Sequence, residues 1–244
     1  MAPYALAADE SCRKVKIGSM DITAHESLTW KYILNQLISG QDLGSRHVDW
    51  AMDEIMTGST PEPILASFLT SLHMKGETSE ELGALARGML AKAETIDLDV
   101  HAVDIVGTGG DQQNTVNIST MAALVIAGTG ATVVKHGNRA STSKSGSADV
   151  LEALGIQLDM PIKSVAACAR QVGITFLFAM TFHPSMRFVG PTRKILGIPT
   201  AFNYLGPMTN PARVSSSAIG VANPQMVEKM AWVFANRGDH ALVF

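Results

Sequence analysis

Two polar turns, each placed between an apolar run and a helical pattern, constrain this chain more than any other feature. The first apolar run, Val103 to Val106, stops at the glycine-rich turn of residues 107–110, Gly-Thr-Gly-Gly. After a polar connection, either Asn117 or Ser119 could cap a helix that continues through Ala127. This order of strand, glycine turn and helix start suits phosphate binding, because backbone N–H groups then converge on an anion.

The same order returns later in the chain. Residues 131–134 have the pattern of a strand, residues 135–143 form a polar loop, and either Ser145 or Ser147 could cap a second helix. Two such anion-binding loops side by side predict a substrate that carries two phosphate groups.

Neither turn is decisive by itself. Glycine-rich turns are often plain turns, because glycine adopts left-handed backbone conformations without strain. The polar loop contains four residues that would also suit an ordinary solvated loop, namely Lys135, His136, Asn138 and Arg139. Its apolar flanks and its place directly after a strand favour a site, and the residues alone leave both interpretations open.

Ahead of these turns, residues 27–97 have the spacing of four amphipathic helices. In the first helix the apolar face consists of Trp30, Ile33, Leu34, Leu37 and Ile38. The predicted ends and caps are Gly40 after the first helix, Gly58 after the second, Thr60 with Pro61 before the third, and a Thr78–Glu81 capping box for the fourth. We expect a small helical bundle domain, preceded by a mobile tail at residues 1–26.

From residue 98 onward, short apolar runs alternate with helical segments, which is the order of an α/β domain. The expected fold class is therefore α/β: a small amino-terminal helical bundle plus a larger domain, residues 98–244, with a mostly parallel sheet flanked by helices. Ligands of such sheets gather at the carboxyl ends of the strands. The runs predicted as strands are Val103–Val106, Ala131–Val134, Ile174–Ala179, Ser217–Val221 and Ala241–Phe244.

Towards the carboxyl terminus we expect three further features. They are a helix over His183–Leu196, a strand near Phe202, and a rigid loop marked by Pro207 and Pro211.

Charge and cysteine content argue against several classes of protein. The 244 residues carry a net charge of -3, so no basic field marks a nucleic-acid surface. Cys12 and Cys168 are too few and too far apart for a disulfide framework or a thiolate metal site, which makes a reducing cytoplasm the natural setting. No window approaches the ~20 apolar residues that a membrane span needs. We expect neither a nucleic-acid nor a membrane partner.

Four motifs occur together in a specific order and spacing. They are Asp-Ile-Val-Gly-Thr-Gly-Gly-Asp at 104–111, Asn-Thr-Val-Asn-Ile-Ser-Thr at 114–120, Lys-His-Gly-Asn-Arg at 135–139 and Ser-Gly-Ser-Ala-Asp-Val-Leu-Glu-Ala at 145–153. In these motifs the chain closely resembles the anthranilate phosphoribosyltransferases of tryptophan biosynthesis. The resemblance continues through His183–Met186, Arg193–Gly197 and Phe202–Pro211, and it covers roughly residues 28–244.

The resemblance implies a fold, a reaction and partners. The fold would be that of the nucleoside phosphorylases and phosphoribosyltransferases, and the substrates would be anthranilate and phosphoribosyl pyrophosphate. The products would be N-(5-phosphoribosyl)anthranilate and pyrophosphate, with Mg²⁺ as the cofactor. The helical domain would form a homodimer, with adaptable contact surface from Met52, Met56, Met89, Trp30 and Trp50.

The resemblance also assigns site residues. For phosphoribosyl pyrophosphate these are Gly107, Gly110, Asp111, Thr115, Asn117, Ile118, Ser119, Thr120, Lys135, His136, Gly137, Asn138, Arg139, Ala140, Ser141, Thr142, Ser143 and Ser147. For anthranilate they are Gly107, Asn138, His183 and Arg193, and Ser119 would also touch magnesium. From spacing alone, Arg193 would instead be a surface charge on a helix, and His183 a helix cap or a packed ring.

Displacement at the ribose C1 carbon builds positive charge on the sugar and negative charge on the leaving group, so catalysis should rest on electrostatics and positioning. An aromatic amine is already neutral at pH 7, and no Ser-His-Asp arrangement or carboxylate pair suggests a general acid and base. The family's magnesium ions are held by an Asp-Glu pair further along the chain, and the adjacent acidic pairs here are Asp9-Glu10, Asp53-Glu54 and Glu80-Glu81. We therefore expect an amino-terminal portion of a longer enzyme, which binds the donor weakly and turns over slowly or not at all.

Two alternatives stay open at this point. A pyrimidine nucleoside phosphorylase would have a similar fold and would bind phosphate, although the motifs at 117–120 and 135–139 fit it less well. A nucleic-acid-binding protein on the same scaffold is disfavoured by the acidic balance of charge.

Overall fold

The computed structural model describes residues 28–110, 116–140 and 145–244; the predicted tail at residues 1–26 lies outside these ranges. The helices are α1 (Trp30–Ile38), α2 (Ser45–Met56), α3 (Glu62–Lys75), α4 (Ser79–Ala91), α5 (Ile118–Gly128), α6 (Ser147–Ala153), α7 (Ile162–Val172), α8 (Ala179–Phe182), α9 (Gly190–Leu196), α10 (Phe202–Met208) and α11 (Val227–Arg237). The strands are β1 (Ala102–Gly107), β2 (Thr132–Gly137), β3 (Ile174–Phe178), β4 (Ser216–Gly220) and β5 (His240–Val243). Among these helices we find none with both the length and the apolar character that crossing a membrane requires.

The four amino-terminal helices begin and end largely where their sequence signals lie. The Thr78 hydroxyl accepts the Glu81 N–H at 3.1 Å, and the Glu81 carboxylate accepts the Thr78 N–H at 2.9 Å, which confirms the predicted capping box. Gly40 and Gly58 follow α1 and α2 with φ angles of +70° and +79°. Both glycines therefore end their helices in the left-handed conformation, as predicted.

Two details of the predicted bundle are wrong. Thr60 does not cap α3, because Pro61 keeps an extended backbone with ψ of 141° and Glu62 becomes the first helical residue. Ile38 does not face inward but is 74% exposed. Ile38 is the last residue of α1 and lies about 100° around the helix from its neighbour Leu37, away from the face that Ile33 and Leu37 bury.

One continuous hydrophobic core joins the bundle to the rest of the chain. It combines side chains of α2, α3 and α4 with Val106 of β1 and with residues of α10 and α11. Met52, Met56 and Met89 belong to this core and are 0%, 2% and 6% exposed. The prediction that these methionines supply contact surface for a partner is therefore wrong, because α2 and α4 use them to pack on each other. A Cβ atom at Gly88 would lie 2.5 Å from the Met52 Cβ, so glycine permits this close approach.

The five strands of the described ranges are parallel and lie in the order β3-β2-β1-β4-β5, which confirms the predicted α/β fold class. Helices α5 and α6 pack on one face of the sheet, and α7, α10, α11 and the bundle lie on the other. From β1 the chain proceeds to β2 and β3 and then crosses to β4 on the opposite side of β1. This change of direction creates a crevice at the carboxyl ends of β1 and β4, where such sheets bind ligands.

The single helix predicted over His183–Leu196 is in fact interrupted. Helix α8 ends at Phe182, a 3₁₀ helix spans Pro184–Phe188, and α9 begins at Gly190. Prolines lie at the start of both later segments. A proline has no N–H to donate within a helix, so each one begins a new segment instead of continuing the old one.

The segment near Phe202 is a helix, α10, where a strand followed by a rigid loop was predicted. The Asn203 side-chain oxygen accepts the Thr200 N–H at 3.0 Å and so fixes the approach to the helix. Pro207 lies inside the helix, which spans seven residues only. This short helix contacts two of the predicted site residues, His136 and Arg193.

Candidate functional site

The glycine turn after β1 is fixed to the neighbouring strand β4. The Thr108 N–H donates to the Gly220 carbonyl at 2.9 Å, and the Thr108 hydroxyl accepts the Ala222 N–H at 3.1 Å. Gly109 and Gly110 have φ angles of +67° and +75°, and among the described residues, chain neighbours aside, no atom lies within 4 Å of a Cβ built on either. The turn is thus held at its base and open above its glycines, as an anion-binding turn requires.

Lys135 of β2 is a buried cation beside this turn. Its ammonium group donates to the Ile105 carbonyl and, at 3.1 Å, to the hydroxyl of Ser119 in the first turn of α5. The side chain is 3% exposed, and burial lowers the pKa of Lys135 to about 8, although the carboxylate of Asp104 opposes that shift. A positive charge and a hydroxyl group therefore meet at the positive end of a helix.

Asp104 and Asn210 lie beneath the lysine and are both buried. The Asp104 carboxylate accepts the His136 N–H at 3.1 Å and the Asn210 amide at 2.9 Å. The same Asn210 amide donates to the Val134 carbonyl at 2.9 Å. Burial raises the pKa of Asp104 to about 6, against the effect of the nearby Lys135 ammonium. The carboxyl group is mostly ionised at pH 7, and each of its two oxygens accepts a hydrogen bond.

The loop after β2 packs closely on the start of α6. The Asp149 carboxylate accepts the Ala140 N–H at 2.9 Å and the Gly146 N–H at 2.7 Å. A Cβ atom on Gly146 would lie 2.3 Å from the Ala140 nitrogen, so no larger residue fits at that position. These contacts overturn the predicted caps of α6. Ser147 is the first helical residue, Gly146 precedes it, and neither Ser145 nor Ser147 supplies the capping hydrogen bond.

The predicted cap of α5 also differs in detail. Asn117 directly precedes the helix, but its side chain makes no capping hydrogen bond and instead donates to the Ser145 hydroxyl at 3.4 Å. Ser119 is directed to Lys135. These two side chains thus link the start of α5 to Ser145 and to β2. The Ile118 and Thr120 N–H groups donate to the Val116 and Asn117 carbonyls at 2.7 and 3.0 Å, so what the start of α5 offers an anion is chiefly the positive end of the helix dipole.

Arg139, assigned to the donor phosphates, makes its contacts within the chain. Its guanidinium group donates to the Glu152 carboxylate at 2.6 and 3.0 Å and to Asp149 at 3.3 Å. The guanidinium also lies 5.6 Å from the centre of the Phe178 ring. Two carboxylates therefore compensate its charge, and in this arrangement it stabilises the junction of the loop with α6.

His136 and His183 form a buried, uncharged pair with ring centres 5.0 Å apart. His136 Nδ1 lies 3.0 Å from the Gly206 carbonyl, and His183 Nε2 lies 3.0 Å from the Thr209 carbonyl. Each of these nitrogens must carry the proton, because a carbonyl oxygen only accepts. Burial lowers the pKa of His136 to about 3 and that of His183 to about 4. Their other ring nitrogens are buried acceptors without a hydrogen-bond partner in the described part of the chain.

Arg193 of α9 is held against α10. Its guanidinium donates to the Asn203 side-chain oxygen at 3.2 Å and lies 5.9 Å from the centre of the Phe202 ring. Burial lowers the pKa of Arg193, yet an arginine remains charged at neutral pH. Because α10 also supplies the Gly206 carbonyl to His136, this helix connects both residues.

The described residues therefore place the predicted site at the carboxyl ends of β1 and β2. Gly107 and Gly110 are in the glycine turn, Thr120 is buried in α5, and Ile118 is exposed at its start. Gly137 is the last residue of β2 and Asn138 begins the loop after it. A Cβ on Gly137 would lie 3.3 Å from the Ser147 Cβ. Five assigned residues lie outside the described ranges, namely Asp111, Thr115, Ser141, Thr142 and Ser143. The roles assigned to all these residues remain predictions.

Ser119 is the described residue assigned to magnesium. Its hydroxyl oxygen lies 3.1 Å from the Lys135 ammonium nitrogen, which would repel a cation. Mg²⁺ prefers an octahedral set of oxygens, usually from carboxylates, phosphates and water. Within the described ranges, no three His, Cys, Asp or Glu side chains are grouped so that they could hold a metal. These residues by themselves do not fit a magnesium site.

Three polar residues of the site, Asp104, Asp149 and Asn210, received no role from the sequence. All three stand inside motifs that the sequence singles out, yet their partners lie elsewhere in the chain. Asp104 could have been recognised from the sequence, because it is an acidic residue within an apolar strand. A carboxylate is seldom fully buried unless it is paired, so this position already indicates a buried partner.

Comparison with known proteins agrees with this architecture. Residues 31–93 match the profile of the glycosyl transferase family, helical bundle domain, and residues 99–244 match that of the glycosyl transferase family, a/b domain. The chain belongs to this glycosyl transferase family. Both the helical bundle domain and the a/b domain of the family are matched.

Similar individual proteins are anthranilate phosphoribosyltransferases. The chain is 58% identical over 216 residues to that of Arthrobacter sp. (strain FB24), which covers 88% of this chain and 61% of the relative. It is 54% identical over 215 residues to that of Rhodococcus jostii (strain RHA1), covering 88% of this chain and 59% of the relative. The chain thus spans about three fifths of the length of these relatives.

Two solved structures have the same fold. The anthranilate phosphoribosyltransferase of Thermus thermophilus superposes with a TM-score of 0.81 at 41% identity, and the match covers 85% of this chain and 63% of the Thermus chain. That of Saccharomyces cerevisiae in complex with phosphoribosyl pyrophosphate and Mg gives 0.80 at 32% identity, with 89% and 66% coverage. These relatives support the transferase hypothesis and give no support to the phosphorylase or nucleic-acid-binding alternatives.

Proposed function

We propose that this chain forms the phosphoribosyl-donor site, and one wall of the anthranilate site, of an anthranilate phosphoribosyltransferase. The reaction transfers the phosphoribosyl group of phosphoribosyl pyrophosphate to the nitrogen of anthranilate and releases pyrophosphate, a step of tryptophan biosynthesis. One observation carries the proposal: the buried Lys135 ammonium donates to Ser119 at the start of α5 and to the Ile105 carbonyl of β1, the strand that ends in the glycine turn.

Donor binding would use charge and backbone N–H groups together. The Lys135 ammonium supplies the positive charge, and its burial strengthens its attraction to a phosphate. The glycine turn would supply backbone N–H groups without obstruction by side chains of the described residues, and α5 would contribute the positive end of its dipole. A complex of the yeast relative contains phosphoribosyl pyrophosphate and Mg, which supports a phosphoribosyl donor for this chain.

The two histidines would form an uncharged wall beside the acceptor. With pKa values of about 3 and 4, His136 and His183 are neutral at pH 7 and are weak bases. The nitrogen of anthranilate already carries a free lone pair, so it needs orientation more than deprotonation. We infer that the site acts by positioning the amine and by stabilising the charge of the leaving pyrophosphate.

Arg193 is the proposed anchor of the anthranilate carboxylate. One of its N–H groups donates to Asn203, and the planar guanidinium has further donors that suit a two-point grip on a carboxylate. We expect Arg193→Lys to raise the KM for anthranilate at least about tenfold, because lysine loses the paired geometry. The KM for the donor should stay nearly unchanged. Equal effects on both substrates would contradict this assignment.

Calorimetric titration of the 244-residue chain tests the donor site directly. We expect phosphoribosyl pyrophosphate to bind, with and without magnesium, more tightly than inorganic phosphate. Lys135→Met keeps the length of the buried stem, removes its charge, and should weaken donor binding at least about tenfold. Binding of phosphate and a pyrimidine nucleoside in place of the donor and anthranilate would instead indicate a phosphorylase. Anthranilate fluorescence then measures whether the chain also turns over.

We also propose that the protein forms a homodimer through its helical bundle. Ile38 and Met74 are exposed apolar side chains on α1 and α3, and a dimer interface would cover such groups. Light scattering on the wild type and on an Ile38→Glu, Met74→Glu variant tests this, because two charges should favour the monomer. A monomeric wild type at micromolar concentration would contradict the proposal.

A further inference from the structure

The junction between β1 and β2, called the seam below, has fewer paired residues than two neighbouring junctions of this sheet. The pairs β1–β4 and β2–β3 keep a regular parallel register over five residue pairs each. In contrast, β1 and β2 are paired only at Ala102–Thr132 and Val103–Val133, although both strands continue to Gly107 and Gly137. The ladder therefore stops at the carboxyl half of these two strands, next to the candidate site.

Side chains take the place of the missing ladder. If the register continued, the Ile105 N–H would donate to the Val134 carbonyl and the His136 N–H to the Ile105 carbonyl. Instead, Asp104 accepts the His136 N–H and interacts with the Ile105 N–H. Asn210 donates to the Val134 carbonyl, and Lys135 donates to the Ile105 carbonyl. The His136 N–H, the Val134 carbonyl and the Ile105 carbonyl thus each have a side-chain partner in place of the ladder.

This substitution affects the geometry of the site. A backbone ladder holds neighbouring strands about 4.8 Å apart, whereas here buried side chains join the two strands. The glycine turn lies at the end of β1, and the loop that begins with residues 138–140 follows β2. The separation of these two anion-binding loops is consequently set by the side chains between the strands. The Asn210 amide, which links Asp104 to β2, is itself oriented by the Ala212 N–H at 2.9 Å.

We propose that Asp104 and Asn210 are positioning residues of the donor site, which replace the backbone ladder and thereby set the distance between the glycine turn and the loop after β2. The inference rests on the proposed function, because a donor with phosphates at both ends must reach both loops at once. Because one molecule carries both phosphate groups, binding of one end to its loop strengthens binding of the other end only when the distance between the loops matches the distance between the phosphates. A fragment that carries one end of the donor does not depend on that separation.

The test compares the donor with its fragments by calorimetry. Dissociation constants of phosphoribosyl pyrophosphate, pyrophosphate and ribose 5-phosphate are measured for the wild-type chain and for Asp104→Asn and Asn210→Ala. We expect both variants to lose at least about tenfold in donor affinity while the affinity for each fragment changes less than about threefold. Asp104→Asn keeps the size of the side chain, so it perturbs packing least.

A matched control separates positioning from general destabilisation. Thr175→Val removes another buried hydrogen bond, the 3.1 Å contact from the Thr175 hydroxyl to the Val165 carbonyl, away from the seam. It should leave the ratio of donor to fragment affinity at the wild-type value. A uniform loss for the donor and the fragments in both seam variants, no loss at all, or failure of both variants to fold by circular dichroism would overturn the inference. If the wild type binds neither the donor nor its fragments, the proposed function fails first.

Discussion

Removal of the Asp149 carboxylate should loosen the loop after β2. One carboxylate oxygen accepts the N–H groups of Ala140 and Gly146 at 2.9 and 2.7 Å, and the other accepts Arg139 at 3.3 Å. The first two contacts join the chain on either side of residues 141–144. In Asp149→Ala both N–H groups lose their acceptor, so the loop can separate from α6.

The magnitude follows from these contacts. A hydrogen bond to a charged group contributes about 1.5–3 kcal/mol, and a capping residue about 1 kcal/mol. The Asp149 side chain is 31% exposed, so water can replace part of what is lost. We expect a net loss of about 2 kcal/mol, which corresponds to roughly a thirtyfold change in the equilibrium between closed and open loop.

Urea denaturation at pH 7 and calorimetric titration with the donor measure this effect. Asp159→Ala is the matched control, because Asp159 is exposed and makes no hydrogen bond or ion pair with any described residue. We expect Asp149→Ala to lower the denaturation midpoint and to weaken donor binding, and Asp159→Ala to change neither. Identical midpoints and affinities in the two variants would refute the role of Asp149.

The same contacts predict a pH dependence with a definite sign. The Ala140 N–H, then the Gly146 N–H and the Arg139 guanidinium, lower the pKa of Asp149 in the folded chain. A carboxyl group with a depressed folded pKa stabilises the fold fully above its unfolded pKa of about 3.9. That stabilisation is lost as the pH falls through the folded pKa. The difference in stability between wild type and Asp149→Ala should therefore be constant between pH 7 and pH 5 and shrink below about pH 4.

Three further predictions concern other parts of the chain. Gly109→Val should cost about 1–2 kcal/mol of backbone strain at φ +67° and abolish donor binding, whereas the control Gly128→Ala, at the end of α5, should leave donor binding intact. Calorimetric titration of both variants with the donor measures this. Intact donor binding by Gly109→Val would show that the turn is only structural. Donor affinity should fall above about pH 8, because Lys135 then loses its proton. Calorimetric titrations at several pH values across this range should give a constant donor affinity for Lys135→Met. A constant donor affinity in the wild type would contradict the prediction. Glu81→Ala should destabilise the bundle by about 3 kcal/mol in urea denaturation, because Lys75 would lose its buried partner. The control Glu80→Ala, at an exposed site, should change the stability little. Equal denaturation midpoints for the two variants would contradict the prediction.

Local chemistry allowed much of the fold to be predicted from the sequence. The period of the apolar residues, the Thr78–Glu81 capping box and the glycines after α1 and α2 act within a few residues of chain, so the sequence reveals them directly. The alternation of strands and helices then determined a parallel sheet, and with it the edge where ligands collect. The candidate loops could be found for the same reason, since each follows a strand immediately.

Only the tertiary structure decided which side chains meet. Asp104 and Asn210 are 106 residues apart, and His136 reaches the Gly206 carbonyl across 70 residues; no local period encodes such pairs. Packing also reassigned residues with ambiguous patterns: Met52 and Met89 entered the chain's own core, and the segment near Phe202 became a helix. The physical reason is the same in each case. Secondary structure follows from interactions between near neighbours in sequence, whereas burial and hydrogen-bond partners depend on which distant segments the fold brings together.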